Sequence, residues 1–272
     1  MDPSFDDDTA LEPIGPGRWR GIISRRWYAA IGVNGGLIAA HATRAMMLAA
    51  GADRAPRSLT LHYLKAPTEG PIDYELTVER AGRSVTFVSL RGRRGDDVLI
   101  TGVGVLAVDA DGPGALVQPA TGFPQAPPPA GLTRVRPGGS TSALLDNYDL
   151  RHAFGAEPVT GAEESLVGGW IRTIAPRPLD AIALAAYSDA WWPAVFPRLD
   201  GPALMPTLDL TIHWRAPVPD GEHPWVLCRL DTREAGGGIF DEQGELWSAD
   251  GRLLLQSRQL ALLRPMPGAR PA

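Results

Sequence analysis

Residues 58–67 read SLTLHYLKAP, and residues 208–217 read LDLTIHWRAP. Both are rich in the alternating, β-branched and aromatic residues of a strand. Both end on a basic residue, an alanine and a proline, so that Lys65, Ala66 and Pro67 lie over Arg215, Ala216 and Pro217 at an offset of 150. The surroundings repeat as well. Before the first strand comes GVNGGLIAAHATRAMMLAAG (32–51), closed by Gly51, and before the second comes LDAIALAAYSDAWWPAVF (179–196). Each is apolar nearly all round, which predicts a helix buried in the core rather than laid on a surface. After each strand comes a hairpin, RGRRGDDVLITG (91–102) and GELWSADGRLLLQS (244–257), where Asp250 and Gly251 are expected to supply a positive-φ pair. Matching Leu99 with Leu253 gives an offset of 154, and the run Gly236, Gly237, Gly238 is a natural place for the four extra residues. A period this long means a duplicated domain and not a solenoid.

One buried helix per repeat, wrapped by about five antiparallel strands, is an α+β arrangement of the hotdog type, and two copies make a double hotdog. Between the copies, DGPGALVQPATGFPQAPPPAGLTRVRPGGS (111–140) is too rich in proline and glycine for a helix or a central strand. The expected organisation is an N-terminal hotdog over 1–112, a linker over 113–140 and a C-terminal hotdog over 141–272.

The 272 residues carry a net charge of −5, and Lys65 is the only lysine, leaving 25 arginines scattered in ones and twos. Nucleic-acid binding needs a clustered cationic surface, which is missing. No apolar run approaches a membrane span, and the start, MDPSFDDDTA, is acidic where a signal peptide is basic. The single Cys228 forms no internal disulfide. These features predict a cytoplasmic protein. There is no GxSxG elbow, no HExxH, no CxxC and no GxGxxG, and His41, His62, His152, His213 and His223 are never spaced as a metal-ligand pair. Neither a metal nor a cofactor is expected.

Three polar residues stand out in the second copy. Asp189 interrupts an apolar run between AIALAAY and AWWP, where a buried carboxylate is costly unless hydrogen-bonded. It is either a catalytic base in an apolar cavity, or, with Ser188, the cap of a short helix starting near Trp191 with Pro193 in its first turn. Gln259 lies on the face of the last strand shared by Leu253, Leu255, Ser257, Ala261 and Leu263, and its repeat counterpart is read as Val105. Thr207 opens its strand, on a face read as shared with Asp209, Thr211 and His213. Trp191, Trp192 and Trp214 are candidate walls of a substrate pocket, or simply core packing.

The segments LAAYSDAWW, PTLDLTIHWRAP and GELWSADGRLLLQSRQLALLR resemble the acyl-CoA thioesterase II family and its thioesterase-like relatives. The resemblance implies that Asp189, Thr207 and Gln259 form the catalytic set. It also implies hydrolysis of an acyl-CoA to a free acid and CoA, with backbone N–H groups at a buried helix start serving the oxyanion, and assembly as a homodimer or higher homo-oligomer. The segment between Asp189 and Thr207 is shorter than in the best-known members. Hotdog hydratases need a histidine a few residues after the aspartate, and none follows Asp189. A non-catalytic acyl-CoA-binding hotdog is the alternative. With Val105 as the counterpart of Gln259, the whole site is expected in the second copy, and the first supplies wall and stability.

Overall fold

The computed structural model describes residues 4–29, 32–109, 118–135 and 142–266. In chain order these form α1 (Phe5–Asp8), β1 (Glu12–Gly15), β2 (Arg18–Ile23), α2 (Gly35–Ala50), β3 (Ala55–Tyr63), β4 (Gly70–Ala81), β5 (Val85–Arg94) and β6 (Asp97–Ala107). The second half adds β7 (Tyr148–Gly155), β8 (Leu166–Thr173), α3 (Ala181–Tyr187), β9 (Ala203–Leu204), β10 (Thr207–Trp214), β11 (Val226–Asp231), β12 (Ala235–Gly236), β13 (Ile239–Ser248), β14 (Leu253–Leu262) and β15 (Arg264–Pro265). The fold is a double hotdog. Its antiparallel sheet runs β1-β2-β4-β5-β6-β3-β10-β14-β13-β11-β8-β7, with β12 added on β13. Among the described residues no helix is long and apolar enough to cross a membrane.

The two repeated strands that opened the reading are neighbours. Strands β3 and β10 pair with each other, Leu61 opposite Leu210, Thr60 opposite Thr211 and Leu59 opposite Ile212, and the two threonine hydroxyls meet at 3.1 Å. Antiparallel pairing of equivalent strands relates the halves by an approximate twofold at Thr60 and Thr211. One buried cluster therefore spans both halves, including Leu37, Ile38 and Met46 of α2 and Ile182 and Leu184 of α3.

The register differs from the sequence reading by one residue. Leu59 and Leu61 face inward with Tyr63, whose hydroxyl reaches the start of α2, and so do Leu210, Ile212 and Trp214. The inward faces thus match at an offset of 151, although the basic-Ala-Pro ends match at 150. Leu210 pairs with Gln259 and Leu59 with Gly104, so the counterpart of Gln259 is Gly104, not Val105. A Cβ at Gly104 would lie 2.0 Å from Met46 Sδ. Where the second half holds an amide, the first holds a methionine against bare backbone.

Three further expectations are revised. The second helix ends at Tyr187 instead of running toward residue 196, because the Ser188 hydroxyl bonds back to Ala185 O at 2.8 Å and Pro193 cannot continue the ladder. No helix starts at Trp191, so Asp189 is not its cap. At the last hairpin Gly251 alone takes positive φ, at +86°, and Asp250 does not.

Of the Pro/Gly-rich stretch, residues 118–135 are described, while 110–117 and 136–141 lie outside the described residues. The described part lies on the second half. Phe123, Ala126 and Leu132 pack against Trp170, Leu227, Trp247 and Leu253, and Pro127 O accepts from Trp170 Nε1 at 2.8 Å. Its prolines and glycines exclude a ladder but leave apolar side chains and carbonyls free to cover this outer sheet face.

Candidate active site

The short turn after α3 aims Asp189 at the N-terminus of α2 in the other half. Asp189 Oδ2 accepts from Gly36 N–H at 3.0 Å and from Asn34 Nδ2 at 2.9 Å, and the Asn34 amide also reaches Asp189 O at 2.6 Å. Asn34 occupies the N-cap position of α2, yet its side chain caps nothing in its own helix. The carboxylate of the second half takes that role, and the helix dipole favours its charge. Glycines permit the approach: a Cβ at Gly35 would stand 2.9 Å from Asp189 Oδ2, and one at Gly36 would stand 2.5 Å from Ala186 O.

Asp189 Oδ1 is held more loosely, by Gln259 Nε2 at 3.4 Å, beyond the usual N–H···O range. Gln259 is 6 % exposed and sits on β14 opposite Leu210, as the period of two requires. Its Oε1 accepts from Thr207 Oγ1 at 3.1 Å. Thr207 reaches this face because β10 bulges between Thr207 and Asp209, which places Thr207 opposite Ala261 and Asp209 opposite Leu260. The extra residue turns Thr207 away from the Asp209, Thr211 and His213 face on which alternation had put it. Asp189, Gln259 and Thr207 thus form one hydrogen-bonded chain.

A second carboxylate belongs to it. Glu242 lies on β13 directly across from Gln259, with Oε1 accepting from Gln259 Nε2 at 2.6 Å and Oε2 from Ala194 N–H at 2.5 Å. Burial pushes the Asp189 carboxyl up to about 6, against the pull of the bonds from Gly36, Gln259, Gly35 and Asn34. Burial likewise pushes Glu242 up to about 7, with the charge of Asp189 adding to the rise, opposed by the bonds from Ala194 and Gln259. Burial first, then Asp189, holds the Tyr63 hydroxyl well above its ordinary value, so it stays a neutral donor to Gly35 O at 3.0 Å.

The three tryptophans separate. Trp191 and Trp192 stack edge-on at 5.4 Å between centroids, and His152 lies 6.3 and 5.2 Å from them. Trp214 instead donates Nε1 to Ala181 O at 3.1 Å, at the end of α3 away from Asp189. Both helix starts are already occupied, Gly36 N–H by Asp189 and Ala183 N–H by Asp180 at 2.7 Å, so neither of these N–H groups is left for an oxyanion. Among the described residues no three of His, Cys, Asp and Glu converge as metal ligands.

Sequence reasoning missed Asn34, Gly36 and Glu242. Each had a signal: an Asn-Gly-Gly start to an apolar helix, and a glutamate at the inward position of a strand whose alternate residues, Phe240, Gly244 and Leu246, are buried. The first half does more than wall the site, since it supplies two of the donors to Asp189.

The fold defines a double-hotdog protein. Residues 23–107 match the family model for the acyl-CoA thioesterase N-terminal domain, and residues 120–263 match that for the C-terminal domain. The chain belongs to this acyl-CoA thioesterase family. An uncharacterised protein of Mycobacterium tuberculosis is 25 % identical over 97 % of this chain and 99 % of its own length. Among solved structures, a conserved hot-dog-fold protein from Alicyclobacillus acidocaldarius superposes with a TM-score of 0.85 at 26 % identity, covering 98 % of this chain and 100 % of that one. The acyl-CoA thioesterase II TesB2 from Mycobacterium marinum shares the fold with a TM-score of 0.77 at 19 % identity, covering 97 % and 100 %.

Proposed function

We propose that the chain hydrolyses acyl-CoA thioesters to a free acid and CoA, with Asp189 as general base and Gln259 and Thr207 orienting the water. The observation that carries this reading is the asymmetry of the Asp189 carboxylate. Oδ2 is tied down by Asn34 and Gly36, while among the described residues Oδ1 meets the long contact from Gln259 Nε2 and keeps a lone pair for a water proton. The water oxygen bonds to the thioester carbonyl carbon as its proton passes to Oδ1. The tetrahedral intermediate then breaks its C–S bond, the proton goes to the CoA sulfur, and Asp189 is ionised again. A base near pKa 6 suits such a transfer at neutral pH. Trp191 and Trp192, immediately downstream of Asp189, border the acyl group in this reading, and Trp214 serves the core.

The test is thiol release by the purified protein from short-chain, long-chain and aromatic acyl-CoA thioesters. Release that depends on Asp189 is expected. Tight binding of the same thioesters with no release across the panel would overturn the hydrolase and leave an acyl-CoA-binding protein.

A further inference from the structure

Glu242 is a poor choice for stability. It is 3 % exposed, the charges of Asp189 and Asp231 act to keep its carboxyl protonated, and its own charge raises the buried Cys228 thiol. Among the described residues none of the ion pairs neutralises it. Burying an unpaired carboxylate costs the fold free energy, and a group that costs stability needs another account. The hydrogen bonds supply one. A carboxylate only accepts, so the group that Gln259 turns toward Glu242 must be its NH2. The carbonyl then faces Thr207, whose hydroxyl donates to it, and the remaining amide hydrogen is directed at Asp189 Oδ1. The other Glu242 oxygen holds Ala194 N–H, in the segment that follows Asp189 and carries Trp191 and Trp192.

We propose that Glu242 is a positioning residue of the hydrolytic site, fixing which way the Gln259 amide faces and anchoring the 190–195 segment beside it. This rests on the proposed hydrolysis by Asp189. Ionised Glu242 accepts both bonds. Protonated, or replaced by glutamine, it presents a donor on one oxygen site, and one of the two bonds is lost. Gln259 is then free to turn its carbonyl toward the Asp189 carboxylate, where the lone pairs of both groups repel and the water loses its placement.

The experiment compares D189N, E242Q and E242M with the wild type in thiol release, recording kcat, KM and the pH profile of kcat. For E242Q we expect kcat to fall about 10–100-fold with KM within about twofold, the scale of a misplaced reacting group. The wild-type acid limb should approach a two-proton slope, and that of E242Q a one-proton slope. E242M, which fills similar volume without a polar atom, serves if E242Q does not fold, and the wild-type slope decides if neither does. A wild type that binds the thioesters without releasing thiol defeats the hydrolase reading itself, and a D189N enzyme with full kcat defeats Asp189 as its base. An inactive D189N beside Glu242 variants with wild-type kcat and slope overturns only the role of Glu242. So does a change confined to KM, or a wild-type acid limb of one proton.

Discussion

Gly36 of the first half donates its backbone N–H to Oδ2 of Asp189 in the second half, at 3.0 Å. The catalytic carboxylate of the proposed mechanism is therefore also the cap of a helix from the other repeat. Packing of α2 on α3 and orientation of the base are one structural event. Duplication alone gives two equal helices. Here the Asn34 side chain caps nothing in its own helix, and the second helix, at 7 residues against 16, ends two residues before the carboxylate that does.

Replacing Asp189 by asparagine should lower kcat by about 10²–10⁴, the usual cost of a lost general base. The fold should persist, because the asparagine carbonyl still accepts from Gly36 N–H. Thiol release and circular dichroism on the same preparation check both halves of this expectation.

Activity and stability should respond to pH in opposite directions. The base works ionised with Glu242 ionised beside it, so kcat is retained above about pH 7 and lost as pH falls through the raised pKa values of Glu242 and Asp189. Stability follows the other sign. A carboxyl whose folded pKa lies above its unfolded value binds more protons when folded, so its contribution is fully present below about pH 4 and is lost as pH rises through about 6. Glu242 adds the same trend up to about pH 7. A shift of about two pKa units corresponds to on the order of 3 kcal/mol. Urea melts should therefore show D189N more stable than the wild type at pH 8, by roughly 1–3 kcal/mol, and nearly equal at pH 4.

Removing the Asn34 amide should make Asp189 harder to ionise, since a hydrogen bond to the charged form is lost. For N34A the acid limb of kcat should move to higher pH while the plateau rate changes little. An unmoved limb would show that burial and the bonds from Gly36, Gln259 and Gly35 set the basicity of Asp189 without Asn34.

The double hotdog was legible because its signals are periodic: two apolar helices, two basic-Ala-Pro ends, two hairpins. Asp189 and Gln259 were legible as polar residues in apolar company, whereas Thr207 stood at a strand start on a face read as polar and only the resemblance set it beside them. What escaped was everything that needs register. The bulge at the start of β10 has no local signature in PTLDLTIHW, yet it decides the face of Thr207. A separate one-residue offset, between inward faces that match at 151 and strand ends that match at 150, moved the counterpart of Gln259 from Val105 to Gly104. Asn34 and Gly36 lie 155 and 153 positions from Asp189, and only the approximate twofold brings them to it. The Pro/Gly-rich stretch was read for what its backbone excludes, whereas Phe123 and Leu132 settle where its described part lies.

Converting Thr207 to valine removes the donor to Gln259 Oε1 and keeps the shape of the side chain. The carbonyl is left buried without its partner, so a loss of about 1–3 kcal/mol in stability is expected along with a kcat reduced roughly 10-fold. Thr207→Ser, which restores the hydroxyl, should recover most of the rate. Equal rates for T207V and T207S would remove the hydroxyl from the mechanism.

Adjacent glycines separate stability from activity. A Cβ at Gly36 meets Ala186 O at 2.5 Å, a main-chain atom held in α3, so α2 and α3 must part to admit it. G36A should cost about 1–3 kcal/mol or more, the range for overpacking. A Cβ at Gly35 instead meets Asp189 Oδ2 at 2.9 Å and Tyr63 Oη at 3.2 Å, both ends of side chains that can move. Alanine also gains up to about 1 kcal/mol over glycine in a helix, which offsets the crowding in G35A. Its melting should stay near wild type while kcat falls, because the atom displaced is the carboxylate itself. Thermal melts and thiol release on the two variants give the comparison. A G35A enzyme with full kcat would mean that the seat of Asp189 at the α2 start tolerates displacement, and the orientation argument for Oδ1 would fail with it.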